Sequence, residues 1–229
     1  MRLFFALILI STAAVAQDVD RFDLAVPRHA VKFSPGHLLV NYHPTTEFSY
    51  EHRIARRWTL QGEYGKIVNI PNSQPEDRIQ DAWDSDRKGY KTKLEARYYV
   101  YATRSGRFTW YAAGELYYNK INYQKQMVTH EYYDETRDAI YEKTHRQRIY
   151  HEEKGINGKF GFLWNMGPVL VDVNAGLGAR FIHYSKLLPI FDEDKDDFLE
   201  FTPDETSRDE PGLALGVRVG YRFPWRRTD

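Results

Sequence analysis

Three features of the sequence predict an all-β chain closed as an eight-stranded antiparallel up-and-down barrel. Apolar and polar residues alternate with period two through one segment after another. Short turns and long polar stretches join these segments in alternation. Aromatic residues collect near the short turns.

The chain starts with an address. Arg2 precedes the apolar run Leu3 to Ile10, and Ala14-Val15-Ala16 is a small-x-small cleavage site before Gln17. A charged start, a brief apolar core and small residues describe a cleaved secretory signal peptide over residues 1–16. Its removal takes Arg2 with it, so the formal charge falls from 32 − 32 = 0 to 31 − 32 = −1. Residues 17–28 read as a periplasmic N-terminal tail, residues 29–224 as the barrel and residues 225–229 as a C-terminal tail.

The strands follow in order. His29 to Leu39 alternates poorly and contains Pro35, which suits an edge or bulge. In the next segment Phe48, Tyr50 and His52 oppose Glu47, Ser49 and Glu51. Trp58, Leu60, Gly62 and Tyr64 oppose Thr59, Gln61 and Glu63. Tyr90, Thr92, Leu94, Ala96, Tyr98 and Val100 oppose Lys91, Lys93, Glu95 and Arg97. Phe108, Trp110, Ala112, Gly114, Leu116 and Tyr118 oppose Thr109, Tyr111, Ala113 and Glu115. Ile156, Gly158, Phe160, Phe162 and Trp164 oppose Asn157, Lys159 and Gly161. Val169, Val171, Val173, Ala175, Leu177, Ala179 and Phe181 oppose Asp172, Asn174, Gly176, Gly178 and Arg180. The final segment is the most regular: Leu213, Leu215, Val217, Val219, Tyr221 and Phe223 oppose Ala214, Gly216, Arg218, Gly220 and Arg222.

Short connections fall at 55–57, 103–106 and 165–168, and long polar loops at about 69–88, 126–148 and 186–211. If the N-terminus starts on the short-turn side, as the even strand numbers of single-chain bacterial barrels imply, one upward strand must precede residue 43, and only residues 29–39 have room for it. The count is then eight, with both termini on the short-turn side.

Alternation alone does not say which face points inward. A lipocalin-like soluble binding barrel would keep the apolar face inside. Three features favour the opposite. Trp58, Trp110, Trp164 and Trp225 lie near the short turns with Phe108 and Phe223, as in an interfacial girdle. The polar face mixes glycine with charges of both signs, which suits a narrow interior where charges pair. The last strand ends on the alternating aromatics Tyr221 and Phe223. The reading is a transmembrane barrel in the outer membrane, with periplasmic termini and long extracellular loops. Its lumen would hold Glu47, Glu51, Glu63, Lys93, Glu95, Arg97, Glu115, Lys159, Asp172, Arg180, Arg218 and Arg222 as a salt-bridged plug.

Several motifs carry a resemblance. They are Val31-Lys32-Phe33-Ser34-Pro35, Phe48-Ser49-Tyr50-Glu51-His52-Arg53, Trp58-Thr59-Leu60-Gln61-Gly62, and Gly89-Tyr90-Lys91 through Glu95-Ala96-Arg97-Tyr98-Tyr99. They resemble small outer-membrane barrels of the Bacteroidota type, a domain-of-unknown-function family. The departures are Ser34 where Asn is usual, and His52 between Glu51 and Arg53. The resemblance implies an outer-membrane barrel without an assigned biochemical role, and transfers no catalytic residue.

Composition narrows the function further. No cysteine means no disulfide scaffold, no thiolate metal site and no cysteine nucleophile. Balanced charge gives no reason to expect nucleic acid. A mean hydropathy of −0.64 excludes a bundle of membrane helices. No phosphate-cradling glycine loop is present, and no cofactor or metal is expected.

His183-Tyr184-Ser185 is the one enzymatic hint, resembling the His-x-Ser of outer-membrane lipid A deacylases. His183 and Ser185 share the lipid-side face. Lys186 stands where that family has Asn, and no matching acid is identifiable, though Glu200, Glu205 and Glu210 lie in the next loop. Asp192 to Glu210 holds ten acids and two bases. It lacks the glycine and closing glutamate of a calcium loop, so a solvated acidic loop is the reading. His130, His145 and His151 match no metal spacing and suit a surface hairpin.

The sequence therefore predicts a non-enzymatic outer-membrane protein with a structural or interaction role in the envelope. A lipid A hydrolase using Ser185 and His183 is the alternative from another class. Its expected partners are outer-membrane lipids and lipopolysaccharide, the barrel-assembly machinery through the C-terminal strand, and envelope proteins.

Overall fold

The structure is a computed structural model. It describes residues 22, 23, 25–35, 45–68, 88–134, 139–192 and 197–223. The signal segment, the 69–87 connection and Trp225 lie outside these residues.

Eight strands form one closed antiparallel ring. They are β1 (His29–Phe33), β2 (Thr45–Ala55), β3 (Trp58–Ile67), β4 (Lys88–Ala102), β5 (Phe108–Asp134), β6 (Ala139–Met166), β7 (Val169–Asp192) and β8 (Asp197–Arg222). Each strand pairs with its chain neighbours, and β1 closes the ring against β8 with Val31 opposite Tyr221.

The first strand is shorter than the sequence predicts. It spans five residues and ends at Phe33, not Leu39. The Ser34 N–H still donates to the Glu47 carbonyl at 3.0 Å. Pro35 then has no N–H to extend the ladder. Nor is this segment an edge, since β2 flanks it on one side and β8 on the other.

The 186–211 stretch, expected as a loop, is mostly strand; the 126–148 stretch is mostly strand as well, in keeping with the surface hairpin expected there. β5 and β6 stay paired out to Asp134 opposite Ala139, and β7 and β8 out to Asp192 opposite Asp197. Both hairpins run far past the apolar belt. A hairpin with water on both faces satisfies its backbone by cross-strand pairing and needs no apolar side.

The short turns fall where predicted. Gly106 and Gly167 turn two of them with φ of 65° and 68°. This left-handed backbone suits glycine because a Cβ would crowd it. The Arg222 N–H donates to Pro168 O at 2.8 Å, and the Phe223 N–H to His29 O at 3.1 Å. The described start and end of the barrel thus share the short-turn rim.

Side chains sort by parity. Phe48, Tyr64, Leu94, Leu116, Ile156, Phe160, Leu177, Leu213 and Leu215 all point outward and are exposed. The buried face is layered, with Ile67, Ile121, Ile149 and Ile182 buried toward the long hairpins. At the short-turn end it is apolar: Tyr99, Ala102, Tyr111, Leu163 and Leu170 surround Phe22, Ala25 and Val26. Those three belong to the 17–28 tail, where a helical turn closes with the Val26 N–H donating to Phe22 O at 2.9 Å. Asn165 Nδ2 holds the turn by donating to Ala25 O at 3.1 Å, and Arg57 covers the Phe22 ring at 4.2 Å. Above this layer the interior is charged.

Gly161 makes room between the layers. A Cβ there would lie 2.3 Å from the Tyr111 ring, whereas at Gly114 it would meet nothing within 4 Å. Gly161→Val should therefore destabilise the barrel by about 1–3 kcal/mol, as overpacking does. Gly114→Ala should change stability by no more than about 0.5 kcal/mol. Urea unfolding in detergent micelles, followed by tryptophan fluorescence, would compare them.

Candidate functional site

The candidate site is the charged interior, set by period-two geometry. Every second residue of a barrel strand points inward, and eight strands bring those residues within reach across the lumen. Ten of the predicted lumen residues are buried there: Glu47, Glu51, Glu63, Lys93, Glu95, Arg97, Glu115, Lys159, Asp172 and Arg218. The two remaining, Arg180 and Arg222, are only half-buried. Arg180 pairs with Glu210, which Arg208 also engages at 2.9 Å.

Asp172 of β7 lies at the centre. Its Oδ2 accepts from Lys32 Nζ at 2.7 Å and Arg97 Nη1 at 2.8 Å, and its Oδ1 accepts from Tyr111 Oη at 2.6 Å. Glu51 is the second hub. Lys32 Nζ lies 2.6 Å from its Oε2, while Thr59 Oγ1 and Tyr99 Oη donate to its Oε1 at 2.5 Å and 2.7 Å. Arg97 spans three acids, reaching Glu95 through Nε at 2.5 Å and Glu51 through Nη1 at 3.4 Å. Its guanidinium also lies 4.4 Å above the Tyr111 ring.

The network continues toward the long-hairpin end. Arg218 of β8 donates through Nε to Glu63 at 2.9 Å. Lys93 bridges Glu63 and Glu47, reaching Glu47 at 2.6 Å. Lys159 bridges Glu115 and Glu95, the latter at 3.0 Å, and Asn157 Nδ2 donates to Glu115 at 2.8 Å. Lys91, half-buried at the rim, stands 3.4 Å from Glu47. Glu47, Glu51, Glu63, Glu95, Glu115 and Asp172 thus face Lys32, Lys91, Lys93, Arg97, Lys159 and Arg218, six charges against six.

Two cations of this set were not in the predicted list. Lys91 shares the inward parity of Lys93. Lys32 lies in the poorly alternating first segment, but Ala30 and Lys32 inward against Val31 and Phe33 outward is the signal that reveals it.

The predicted girdle residues Trp58, Phe108, Trp110, Trp164 and Phe223 are all exposed on the outer wall near the short turns. Phe108 stacks on Trp164 with ring centres 5.9 Å apart, and Trp110 on Phe160 at 5.5 Å.

The His183 and Ser185 pairing is not the one the structure makes. Both side chains face outward by parity, but His183 Nδ1 lies 2.9 Å from Ser207 Oγ, its cross-strand neighbour on β8. Residues i and i+2 of a strand sit two residue steps apart along it, whereas directly opposed residues nearly touch. Among the described residues no carboxylate hydrogen-bonds His183. Glu210 is held by Arg180 and Arg208, Glu205 is exposed and stands opposite Ser185, and the side chain of Glu200 lies outside the described residues. The side chains of His130 and His145 also lie outside them. His151 is buried with its ring edge-on to Tyr184. No group of three or more His, Cys, Asp or Glu is assembled for a metal among the described residues.

No protein-family model matches the chain, and no curated protein matches it. Two solved structures are similar in layout. One is the N-terminal β-barrel domain of Pseudomonas aeruginosa OprF, 12% identical over 85% of this chain and 95% of that one, with a TM-score of 0.33. The other is a major outer membrane protein from Thermus thermophilus, 10% identical over 86% of this chain and 100% of that one, with a TM-score of 0.44. Neither likeness assigns a role to any residue here.

Asp172 gives the sharpest test of the network. Asp172→Asn leaves Lys32 and Arg97 short of a buried counter-charge, and removing one partner of such a pair costs about 3–5 kcal/mol. Arg180→Ala breaks a half-exposed pair and should cost at most about 1 kcal/mol. Urea midpoints of refolded barrels would show the difference.

Proposed function

We propose that the chain is an outer-membrane β-barrel whose ion-paired interior plugs the lumen, and that its role in the cell envelope is structural or interaction-based. The observation that carries this reading is the inside-out distribution of side chains. Leu94, Leu116, Leu177, Leu213 and Leu215 stand exposed on the outer wall, while Glu51, Arg97 and Asp172 are sealed inside. An apolar belt around the whole wall far exceeds what a protein leaves to water, and hydrocarbon is the solvent that fits it. A closed sheet is also the one β-structure that satisfies its whole backbone there. The aromatic ring at the short-turn rim sets one boundary of the bilayer.

On this reading residues 1–16 direct export and are removed, the short turns and both termini face the periplasm, and the long hairpins reach outward. The partners are outer-membrane lipid and lipopolysaccharide, with the C-terminal strand presented to the barrel-assembly machinery. The hairpins offer a surface to other envelope proteins. The motifs shared with Bacteroidota-type barrels belong to the same picture. A lipocalin-like binding barrel is disfavoured because its apolar face would be the inner one. The lipid A hydrolase reading is disfavoured because His183 turns to Ser207 and lacks an orienting acid.

Expression in a Gram-negative host tests the placement. The mature chain should stay in the membrane pellet through carbonate extraction and require detergent for release; release without detergent would contradict it. Leu94→Arg, on the outer wall, should cost about 2–4 kcal/mol of stability in lipid, as cations do near the midplane of such barrels.

A further inference from the structure

We propose that His29 and His52 form a binding site for a late first-row divalent cation, with Cu²⁺ held most tightly and Tyr50 as an oxygen donor beside them. The register places His29 of β1 directly opposite His52 of β2. Tyr50 is two residues before His52 and shares its outward face. The two Nδ1 atoms stand 3.2 Å apart, and Tyr50 Oη lies 2.7 Å from His29 Nδ1.

These distances match a chelate. Two imidazole nitrogens bound at about 2.0–2.1 Å to one metal are about 3 Å apart in a right-angled arrangement and about 3.4 Å apart in a tetrahedral one. The observed separation lies between these values, so an ion requires the rings to turn their lone pairs toward it while the distance between the two nitrogens changes little.

The hydrogen bonding points the same way. A ring nitrogen has one in-plane position, which holds either a proton or a lone pair. His29 Nδ1 has two polar partners competing for that position, Tyr50 Oη and His52 Nδ1. A cation between the rings would serve both nitrogens at once and leave the phenol oxygen as a neighbouring donor. Neutral imidazole suits Cu²⁺, Ni²⁺ and Zn²⁺, and the general affinity order places Cu²⁺ first. His52 and Tyr50 are exposed, so water can complete the coordination. The neighbouring Arg53 guanidinium is engaged by Asp23 at 3.0 Å.

The site lies on the outer wall at the short-turn rim, apart from the lumen network. Its position also matters to the fold. β1 has only five residues and must close the ring, and an ion shared by His29 and His52 would pin it to β2.

The test uses untagged mature barrel in detergent, titrated with CuCl₂ alone and followed by electron paramagnetic resonance. Wild type should bind one equivalent with hyperfine structure from two nitrogens. His29→Gln and His52→Gln, each checked for heat-modifiable gel migration as a folded barrel, should both lose that signal, and His183→Gln should keep it. A second readout uses wild type only: one equivalent of Cu²⁺ should protect His29 and His52, and not His183, from diethylpyrocarbonate. Absence of the two-nitrogen signal in wild type, its survival in a folded His29→Gln or His52→Gln barrel, or unprotected His29 and His52 would each overturn the proposal.

Discussion

Asp172 and the cations around it are the constraint on which the rest of the structure depends. A carboxylate removed from water is costly unless charge and hydrogen bonds surround it. Here Lys32 comes from β1, Arg97 from β4 and Tyr111 from β5, so one side chain on β7 ties together strands from around the ring. The buried acids need buried bases at fixed heights in the lumen. That fixes the strand register, since a slip by one residue would turn Asp172 to the outer wall and Val171 or Val173 inward. The glycines follow from the same demand. Gly161 is bare because Tyr111 must lie across it to reach Asp172.

The apolar layer at the short-turn end and the charged layer above it divide the work. The apolar layer at the short-turn end takes in the Phe22–Val26 turn and shields the ion pairs from that side. Tyr99 and Tyr111 span the boundary, with rings in the apolar layer and hydroxyls on Glu51 and Asp172. Shielding strengthens each ion pair and raises the cost of leaving any member alone. The network is accordingly balanced in charge, with six acids against six bases. The outer wall needs no such pairing. Apolar side chains there have only to match their surroundings, which explains why Leu, Val and Phe recur with so little variety on β7 and β8.

The barrel was legible in the sequence wherever hydrocarbon-like and polar surroundings lie on opposite sides of a strand. The Leu213–Phe223 alternation and the inward Glu95 and Arg97 could be read off directly, and the structure places them so. Legibility fails where that contrast fades. The outer parts of β5 and β6 carry polar residues on both faces, and those of β7 and β8 mix acids with Leu187, Leu188, Ile190 and Phe191, so no clean period marks them while backbone pairing continues. β1 hides in a segment broken by Pro35, and Lys32 went unassigned with it. The Phe22–Val26 turn has too few residues for a period, and only tertiary packing shows that it enters the barrel. Cross-strand pairs are invisible without register. His183 finds Ser207 rather than Ser185, and His29 finds His52, because of pairings that the sequence does not state.

In the proposed barrel, paired charges fill the lumen and leave no continuous water path. Single-channel recording of the refolded mature barrel in a planar bilayer tests it most directly. The paired lumen predicts insertion, shown by heat-modifiable migration of the recovered protein, without conductance steps of open-porin size. Stable steps of that size from wild-type protein would contradict it.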